Sequence, residues 1–512
     1  MAAAKKRRVT RAVAGFDPVP SRHPAAAVTV GVARTAPADV TVIGVPVASD
    51  GAVPRERIEI DRATLEASGF AGAVGETLVL PRVGEPTIIE IGVGPRADLD
   101  AAAIRDAAAA FARAAVKHSR LAIDLTGVAS DLGARVAGQA IVEGVLLARY
   151  RYRAFIDRPS EVHLTHLTLI GARERIRSLA AGADRGTVTA RAVNTARDLC
   201  NTPATHLTAR RLAEVATDIA SEAGLAIEVF DEKQLAELGC GGLLGVNAGS
   251  AEPARLIKLT YMPKGRPRGA LALVGKGIMY DSGGISLKPS DAMHAAMKLD
   301  MSGAAAILGA MSTLGALGCR AAVTGYLMCT DNMPSGTATR LGDVLTIHGG
   351  KTVEVVNADA EGRLVMADGL VMAVEDGADA IVTIATLTGA AMRTFGSAMA
   401  AMLANRAELA DQLEAAGLAT DEPVWQLPLV RRYRKQLVSQ IADLKNMGGE
   451  NAGTITAGLF LEEFVDRRPF GHLDICGPMM TDVDDGWRSV GATAFGTRLL
   501  ADFATNFRRP SA

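Results

Sequence analysis

The sequence predicts an α/β protein of two domains, each built on a largely parallel sheet. At 512 residues the chain exceeds what one core of ordinary size organises. Strand-like apolar runs alternate with helix-like segments in both halves, which is the spacing of βαβ units. In the second half the strand-like runs are continuously apolar, as strands buried on both faces are.

In the first half "VTVGVA", "DVTVIGVPV" and "TIIEIGVG" read as strands, followed by the alanine-rich helix "LDAAAIRDAAAAFARAAVKH". "RLAIDLTG" is then a strand, "RVAGQAIVEGVLLARYRY" a helix and "EVHLTHLTLIG" a closing strand. The small and polar residues of "AAGADRGTV", residues 180–188, break the pattern and mark a boundary. "TARAVNTARDLCNTPATHLT" reads as a helix joining the domains. It stops before Asn201-Thr202-Pro203, because the residue preceding a proline resists the α region. The second half repeats the logic with "ALALVGKG", a small-residue helix from Ser302, "RAAVTGYLMC", "KTVEVVNA", a helix after Glu361, and "ADAIVTIATLTGAA".

Lys+Arg 55 against Asp+Glu 56 leaves a net charge of -1, so no global field draws the chain to nucleic acid or anionic lipid. The basic cluster "KKRRVTR", residues 5–11, reads as a solvated terminus. Asp and Pro follow those charges where a secretion signal would carry an apolar stretch, so secretion is not expected. The uncharged run at residues 301–319 approaches the about 20 residues a bilayer needs. Its Gly, Ala, Ser and Thr content, and the strand that follows it, predict a buried helix and no membrane span. Five cysteines without a C-x-x-C pair fit reduced thiols in a cytoplasmic protein.

Ligands of such sheets sit beyond the carboxyl ends of the strands, and the unusual polar residues fall there. "LVGKGIMYDSGGISLKPS" places Lys276, Asp281 and Lys288 in a glycine-rich loop, and "MKLDMSGAAA" places Asp300 before a helix. "VVNADAEGRLVMADG" sets Asp359, Glu361 and Arg363 at alternate positions, which in extended backbone project to one side. Each has an ordinary explanation: Asp300 as a helix cap, Glu361 as a favourable helix start, the lysines as solvated loop residues. Together, however, four converging carboxylates raise one another's pKa values unless cations pair them, and two divalent metals would do so. Oxygen ligands suit Mg, Mn or Zn alike. The eight histidines lie outside these loops, and a lysine ligand would have to be neutral. No serine lies in G-x-S-x-G, and "HGGKT" fails as a P-loop because Leu345 stands where its first glycine belongs.

"VGKGIMYDSGGISLKPS", "MKLDMSGAAA", "NADAEGRLVMADGL" and "ATLTGA" together resemble the cytosolic leucyl aminopeptidase family of two-metal exopeptidases, over residues 196–478. The pattern along the chain divides it into an N-terminal α/β domain (1–180), a linker helix (181–200) and a C-terminal domain (201–512), which the resemblance makes a catalytic α/β/α sandwich with a mixed, largely parallel sheet. By matched motif position it implies Lys276, Asp281, Asp300, Asp359 and Glu361 as ligands of two divalent ions, Zn or Mn, with Asp281 and Glu361 shared. Lys288 would polarise the scissile carbonyl, and Arg363 would hold a bicarbonate acting as general base. Met297, Asn357, Thr386, Leu387 and Gly389 would bind substrate. The implied reaction is hydrolysis of the N-terminal residue, Leu-like or otherwise apolar, from peptides by a metal-activated water. A cytoplasmic homohexamer without membrane or nucleic-acid partners is expected. One rival reading is a DNA-binding or structural role, opposed by the neutral net charge and the single terminal basic cluster and separable by a gel-shift at physiological salt; a second is a two-metal phosphoesterase, separable by a phosphate-ester panel. Three departures bear on specificity: Ala358 where the family has Thr, one extra residue between Lys288 and Asp300, and Phe470 and Cys476 where Trp and Ala are commoner.

Overall fold

The computed structural model describes residues 15–54, 58, 60–126, 132–156 and 162–511, so the basic cluster at 5–11 lies outside the described residues. The first sheet comprises β1 (Thr29–Ala33), β2 (Val42–Val47), β3 (Thr77–Leu80), β4 (Thr87–Gly92), β5 (Arg120–Asp124) and β6 (His166–Ile170), in the order β1-β6-β5-β2-β4-β3. All neighbours are parallel except β3, which runs antiparallel to β4. Sequence reading misses β3: a four-residue edge strand, none of it fully buried, has no apolar run to announce it.

Helices α1 (Ala101–Ala114) and α2 (Ala134–Ala148) fall in the two predicted segments, and Asp100 caps α1 by accepting from Ala103 N at 2.8 Å. Helix α3 (Ile176–Asn201) runs unbroken through residues 180–188, which the sequence marks as a boundary. The small residues there have another purpose. A Cβ on Gly182 would lie 2.0 Å from the Arg135 carbonyl oxygen, and one on Gly186 2.7 Å from that of Gln139, so the glycines let α3 lie directly against α2. The helix ends at Asn201, and Thr202 is extended ahead of Pro203, as the proline rule requires.

The second sheet comprises β7 (Ala226–Phe230), β8 (Arg255–Tyr261), β9 (Ala270–Asp281), β10 (Ala322–Asn332), β13 (Ala380–Ala385), β14 (Ala400–Ala404), β15 (Val424–Gln426) and β17 (Phe470–Asp474). Their order is β15-β14-β17-β13-β9-β10-β8-β7, with a parallel centre from β17 to β10 and antiparallel joins at β14-β17, β10-β8 and β7-β8. The sheet is therefore mixed and largely parallel. "KTVEVVNA" yields only β12 (Thr352–Glu354), which pairs with β11 (Val344–Thr346) and β16 (Leu444–Lys445) in a separate small sheet.

Helix α4 (Ser302–Met311) is buried along its whole length against the second sheet. A Cβ on Gly303 would sit 2.2 Å from the Ile384 carbonyl oxygen, so small residues set this packing distance. Among the described residues no helix is long and apolar enough to cross a membrane. Helix α5 (Gly362–Glu375) joins an apolar core with Val274, Tyr326 and Ile381, whereas α4 and α6 (Thr497–Asn506) share a larger core with α1, α2 and α3. The two sheets thus share one continuous apolar interior. A buried carboxylate, Glu143 of α2, stitches it together by meeting Arg105 of α1, Thr189 of α3 and Arg498 of α6.

Candidate metal centre

The central parallel strands deliver their last residues to one place. β9 holds Lys276 within the strand and ends at Asp281, so of the three residues the sequence places in a glycine-rich loop only Lys288 lies beyond the strand; β10 ends at Asn332, Thr386 follows β13, and β17 ends at Asp474. Asp300 comes just before α4, and Glu361 holds the N-cap position immediately before α5 without a side-chain capping bond. One carboxylate oxygen from each of Asp281, Asp300 and Glu361 lies within 4.8 Å of the others, and all three residues are buried.

Two lysines thread this acidic cluster. Lys276 Nζ lies 2.8 Å from Asp300 Oδ2 and 2.7 Å from Glu361 Oε1, and donates to the Thr386 carbonyl at 2.9 Å. Lys288 Nζ lies 2.8 Å from Asp281 Oδ2 and 2.5 Å from Asp359 Oδ1. Burial disfavours both ammonium groups, but the surrounding carboxylates outweigh it and hold each pKa above the ordinary lysine value. The carboxyls move the same way. Burial, with Asp281 adding to it and Lys276 opposing, pushes Glu361 up to about 7. Burial raises Asp300 well above its usual range even with Lys276 beside it, and Asp359 is raised by burial and by Asp281.

These donors fit a divalent cation. Glu361 Oε2 is buried and receives no hydrogen bond, and an unmet carboxylate oxygen among other carboxylates is the environment a hard cation relieves. An oxygen-rich set suits Mg, Mn or Zn. The cage is held from outside: Thr386 Oγ1 donates to Asp300 Oδ1 at 2.7 Å, and Gly283 N donates to Asp281 Oδ1 at 2.9 Å. Gly283 has φ +87°, and a Cβ there would stand 2.6 Å from the Ser286 carbonyl oxygen, so the turn after Asp281 demands glycine.

The alternating trio converges by a different route from the one its spacing suggests. Glu361 already has helical backbone (φ −84°, ψ −35°), so the segment is a turn running into α5 and is not extended. Asp359 reaches Lys288, Glu361 reaches Lys276, and Arg363 is buried in the first turn of α5. Arg363 Nε and Nη1 lack acceptors. Burial lowers its pKa to about 10, with the charges of Glu361 and Asp474 opposing.

The expected substrate residues ring this cluster unevenly. Thr386 touches Asp300 directly, Asn357 accepts from Asp359 N at 2.7 Å through Oδ1, and Leu387 N donates to Asp474 Oδ1 at 3.1 Å. Gly389 is exposed at the start of the helix Gly389–Phe395. Met297 is 6% exposed and belongs to the main core. Ala358 acts through its backbone: its N–H donates to Ser286 Oγ at 3.0 Å and its carbonyl accepts from Asn332 Nδ2 at 3.0 Å.

Sequence reasoning missed three supporting residues. Asp474 is fully buried and accepts from Leu387 N, Thr388 N, Thr388 Oγ1 and Cys476 N. Asn446 donates to the carbonyls of Asn357 and Ala360. Asn332 donates to Asp281 Oδ1 at 2.8 Å. No local signal marks them: Asp474 and Asn332 close the strands "FGHLD" and "AVTGYLMCTDN", which already carry His472, Thr324, Thr330 and Asp331.

The cytosol aminopeptidase family model for the catalytic domain matches residues 194–501, more than half of the chain. This chain belongs to the cytosol aminopeptidase family. It is accordingly an aminopeptidase, a metal-dependent hydrolase, and the family's N-terminal domain model matches residues 60–158. The aminopeptidase is 40% identical over 444 residues to a probable cytosol aminopeptidase of Alkaliphilus oremlandii, spanning 85% of this chain and 89% of that protein. It is 40% identical over 502 residues to one from Streptomyces coelicolor, spanning 91% and 95%. Among solved structures it is similar to the bottromycin maturation enzyme BotP in complex with Mn, with TM-score 0.83 and 36% identity over 91% of this chain and 99% of that one. It is also similar to a variant of tomato leucine aminopeptidase, with TM-score 0.83 and 29% identity over 94% and 97%.

Proposed function

We propose that this aminopeptidase removes N-terminal residues, Leu-like or otherwise apolar, from peptides at a pair of divalent ions, Zn or Mn. The ions would be held by Lys276, Asp281, Asp300, Asp359 and Glu361. The observation that carries the reading is the buried Asp281–Asp300–Glu361 cluster with its unpartnered Glu361 Oε2. When bound, such ions lower the pKa of a water nucleophile and polarise the carbonyl under attack. The Mn bound to the BotP relative supports an ion of this class.

The chain's own residues divide the remaining work. Lys288 is 19% exposed at the rim of the cluster, and its ammonium would polarise the scissile carbonyl and hold the developing oxyanion. Arg363 offers two buried unpaired N–H groups, an arrangement suited to a small planar anion such as bicarbonate serving as general base. Thr386 and Asn357 brace Asp300 and the Asp359 turn beside the substrate, and Leu387, Gly389 and Met297 supply the apolar and small surface for its side chain. We assign residues 1–180 to the N-terminal domain, 181–200 to the linker helix and 201–512 to the catalytic domain. The five cysteines are free thiols, consistent with a cytoplasmic setting.

The test is hydrolysis of a leucine anilide by chelator-stripped protein refilled separately with Zn, Mn, Co or Mg. Activity returning with metal, and abolished when the substrate's amino group is acetylated, is the expected result. Folded protein of verified metal content that stays silent with every ion would overturn the proposal.

A further inference from the structure

We infer that Asn332 is a positioning residue that locks the Asp281 loop to the Asp359 turn, and that its two donated hydrogen bonds set the affinity for one of the two ions. The inference rests on the metal pair proposed above.

β10 follows β9 in regular parallel register from Ala322 opposite Ala270 to Thr330 opposite Ile278, and then the register shifts so that Asn332 stands opposite Asp281. In unbroken register Asn332 would face Tyr280. An irregularity of this kind re-aims a side chain at the end of a pairing, and here it turns a carboxamide toward a carboxylate. Asn332 is 4% exposed. Its Nδ2 donates to Asp281 Oδ1 at 2.8 Å and to the Ala358 carbonyl at 3.0 Å, which uses both of its N–H bonds. Its own carbonyl accepts from Ser282 N at 3.0 Å and Ser282 Oγ at 2.7 Å. A single residue thereby fixes the Asp281 carboxylate, the residue after it, and the residue before Asp359.

This arrangement has a direction. With Oδ1 of Asp281 engaged by Asn332, Oδ2 is the oxygen that faces Lys288 and, across its ammonium, Asp359. The close approach needs Gly284 at φ +59°, where a Cβ would stand 2.6 Å from Asn332 Oδ1. The contacts of Lys276, Asp300 and Glu361 run among themselves and to Thr386. Asn332 therefore acts most strongly on the ion that draws on Asp281 and Asp359, and reaches the Lys276–Asp300–Glu361 side only through Asp281, which lies within 4.8 Å of Asp300 and Glu361.

The test is a calorimetric Mn titration of the chelator-stripped full chain, comparing wild type with Asn332→Leu, which keeps the branching but removes both donors. Asn332→Ser, too short to span the two acceptors, serves as a second variant that avoids added bulk. The expected result is two binding events in wild type, with one weakened about 10–100-fold in the variants and the other weakened less. At saturating Mn the variants' kcat recovers toward wild type while KM stays fixed, a pattern that general loss of structure would not produce. Two undiminished events in both variants, or an equal fall in both events, would overturn the inference. A wild type that binds no pair of ions would overturn the proposed function instead.

Discussion

Replacing Glu143 with Gln removes one charge from the centre of the molecule, and the structure sets the size of the effect. Glu143 Oε2 lies 2.8 Å from Arg105 Nε and 3.0 Å from Arg498 Nη1, while Oε1 accepts from Gln139 at 2.9 Å and Thr189 at 2.8 Å. Burial alone would raise this carboxyl, but Arg105 and Arg498 outweigh it and hold the pKa at about 2, against 4.5 for an ordinary glutamate. That depression corresponds to about 3 kcal/mol of folding stability, close to the about 3–5 kcal/mol for breaking a buried ion pair from one side. Arg498 is itself pushed down by burial and by Arg105, so the Glu143 figure is an upper bound on what the trio contributes. Because the folded pKa is the lower one, the stabilisation is complete above the unfolded value near 4.5 and is lost as pH falls toward 2. Urea unfolding followed by tryptophan fluorescence reads this region through Trp487, which is fully buried with Arg498 4.0 Å from its ring centroid, whereas the other tryptophan, Trp425, is already 59% exposed in the folded chain. E143Q is expected to be less stable than wild type by about 2–3 kcal/mol at pH 7, with the gap narrowing as pH is lowered to about 3.5. A gap below about 1 kcal/mol at pH 7, or one that does not change with pH, would refute the assignment of this trio as a stabilising junction.

Asp359→Ala is expected to lose metal and leucine-anilide activity together, since it removes a proposed ligand and leaves the Lys288 ammonium with one partner fewer. Lys288→Ala should keep its metal in equilibrium dialysis and still fail in turnover; equal metal loss in the two variants would collapse that division of roles. Sedimentation velocity is expected to show a homohexamer, and a monomer at working concentration would remove the oligomer from the proposal.

The α/β class, and the strands and helices nearest the metal centre, were legible because each rests on local apolar patterning that tertiary contacts reinforce. The misreadings have physical causes. Gly182 and Gly186 read as a break because glycine is a weak helix former, yet their lack of a side chain is what allows α3 to meet α2, and that contact is invisible along the chain. The edge strand β3 carries too few buried residues for a period-two signal. "KTVEVVNA" looks like a core strand by composition, but only three of its residues pair, in the small sheet.

At the site, the chemically distinctive residues were visible and the residues that aim them were not. Asp359, Glu361 and Arg363 converge by a route other than the one their spacing suggests: period-two projection needs extended backbone, and Gly362 instead begins a helix whose N-cap position is Glu361. Their convergence depends on where α5 starts, and so on Lys276 and Asn446 from distant parts of the chain, which meet Glu361 and the Ala360 carbonyl. Asn332 and Asp474 are common residue types at ordinary strand ends. Nothing local distinguishes them until a register shift turns one toward Asp281 and burial obliges the other to collect four donors. A carboxylate cluster declares itself by residue type, because charge is rare in a core and needs a partner. A positioning amide has no such signature, and its function exists only in the contacts that the fold creates.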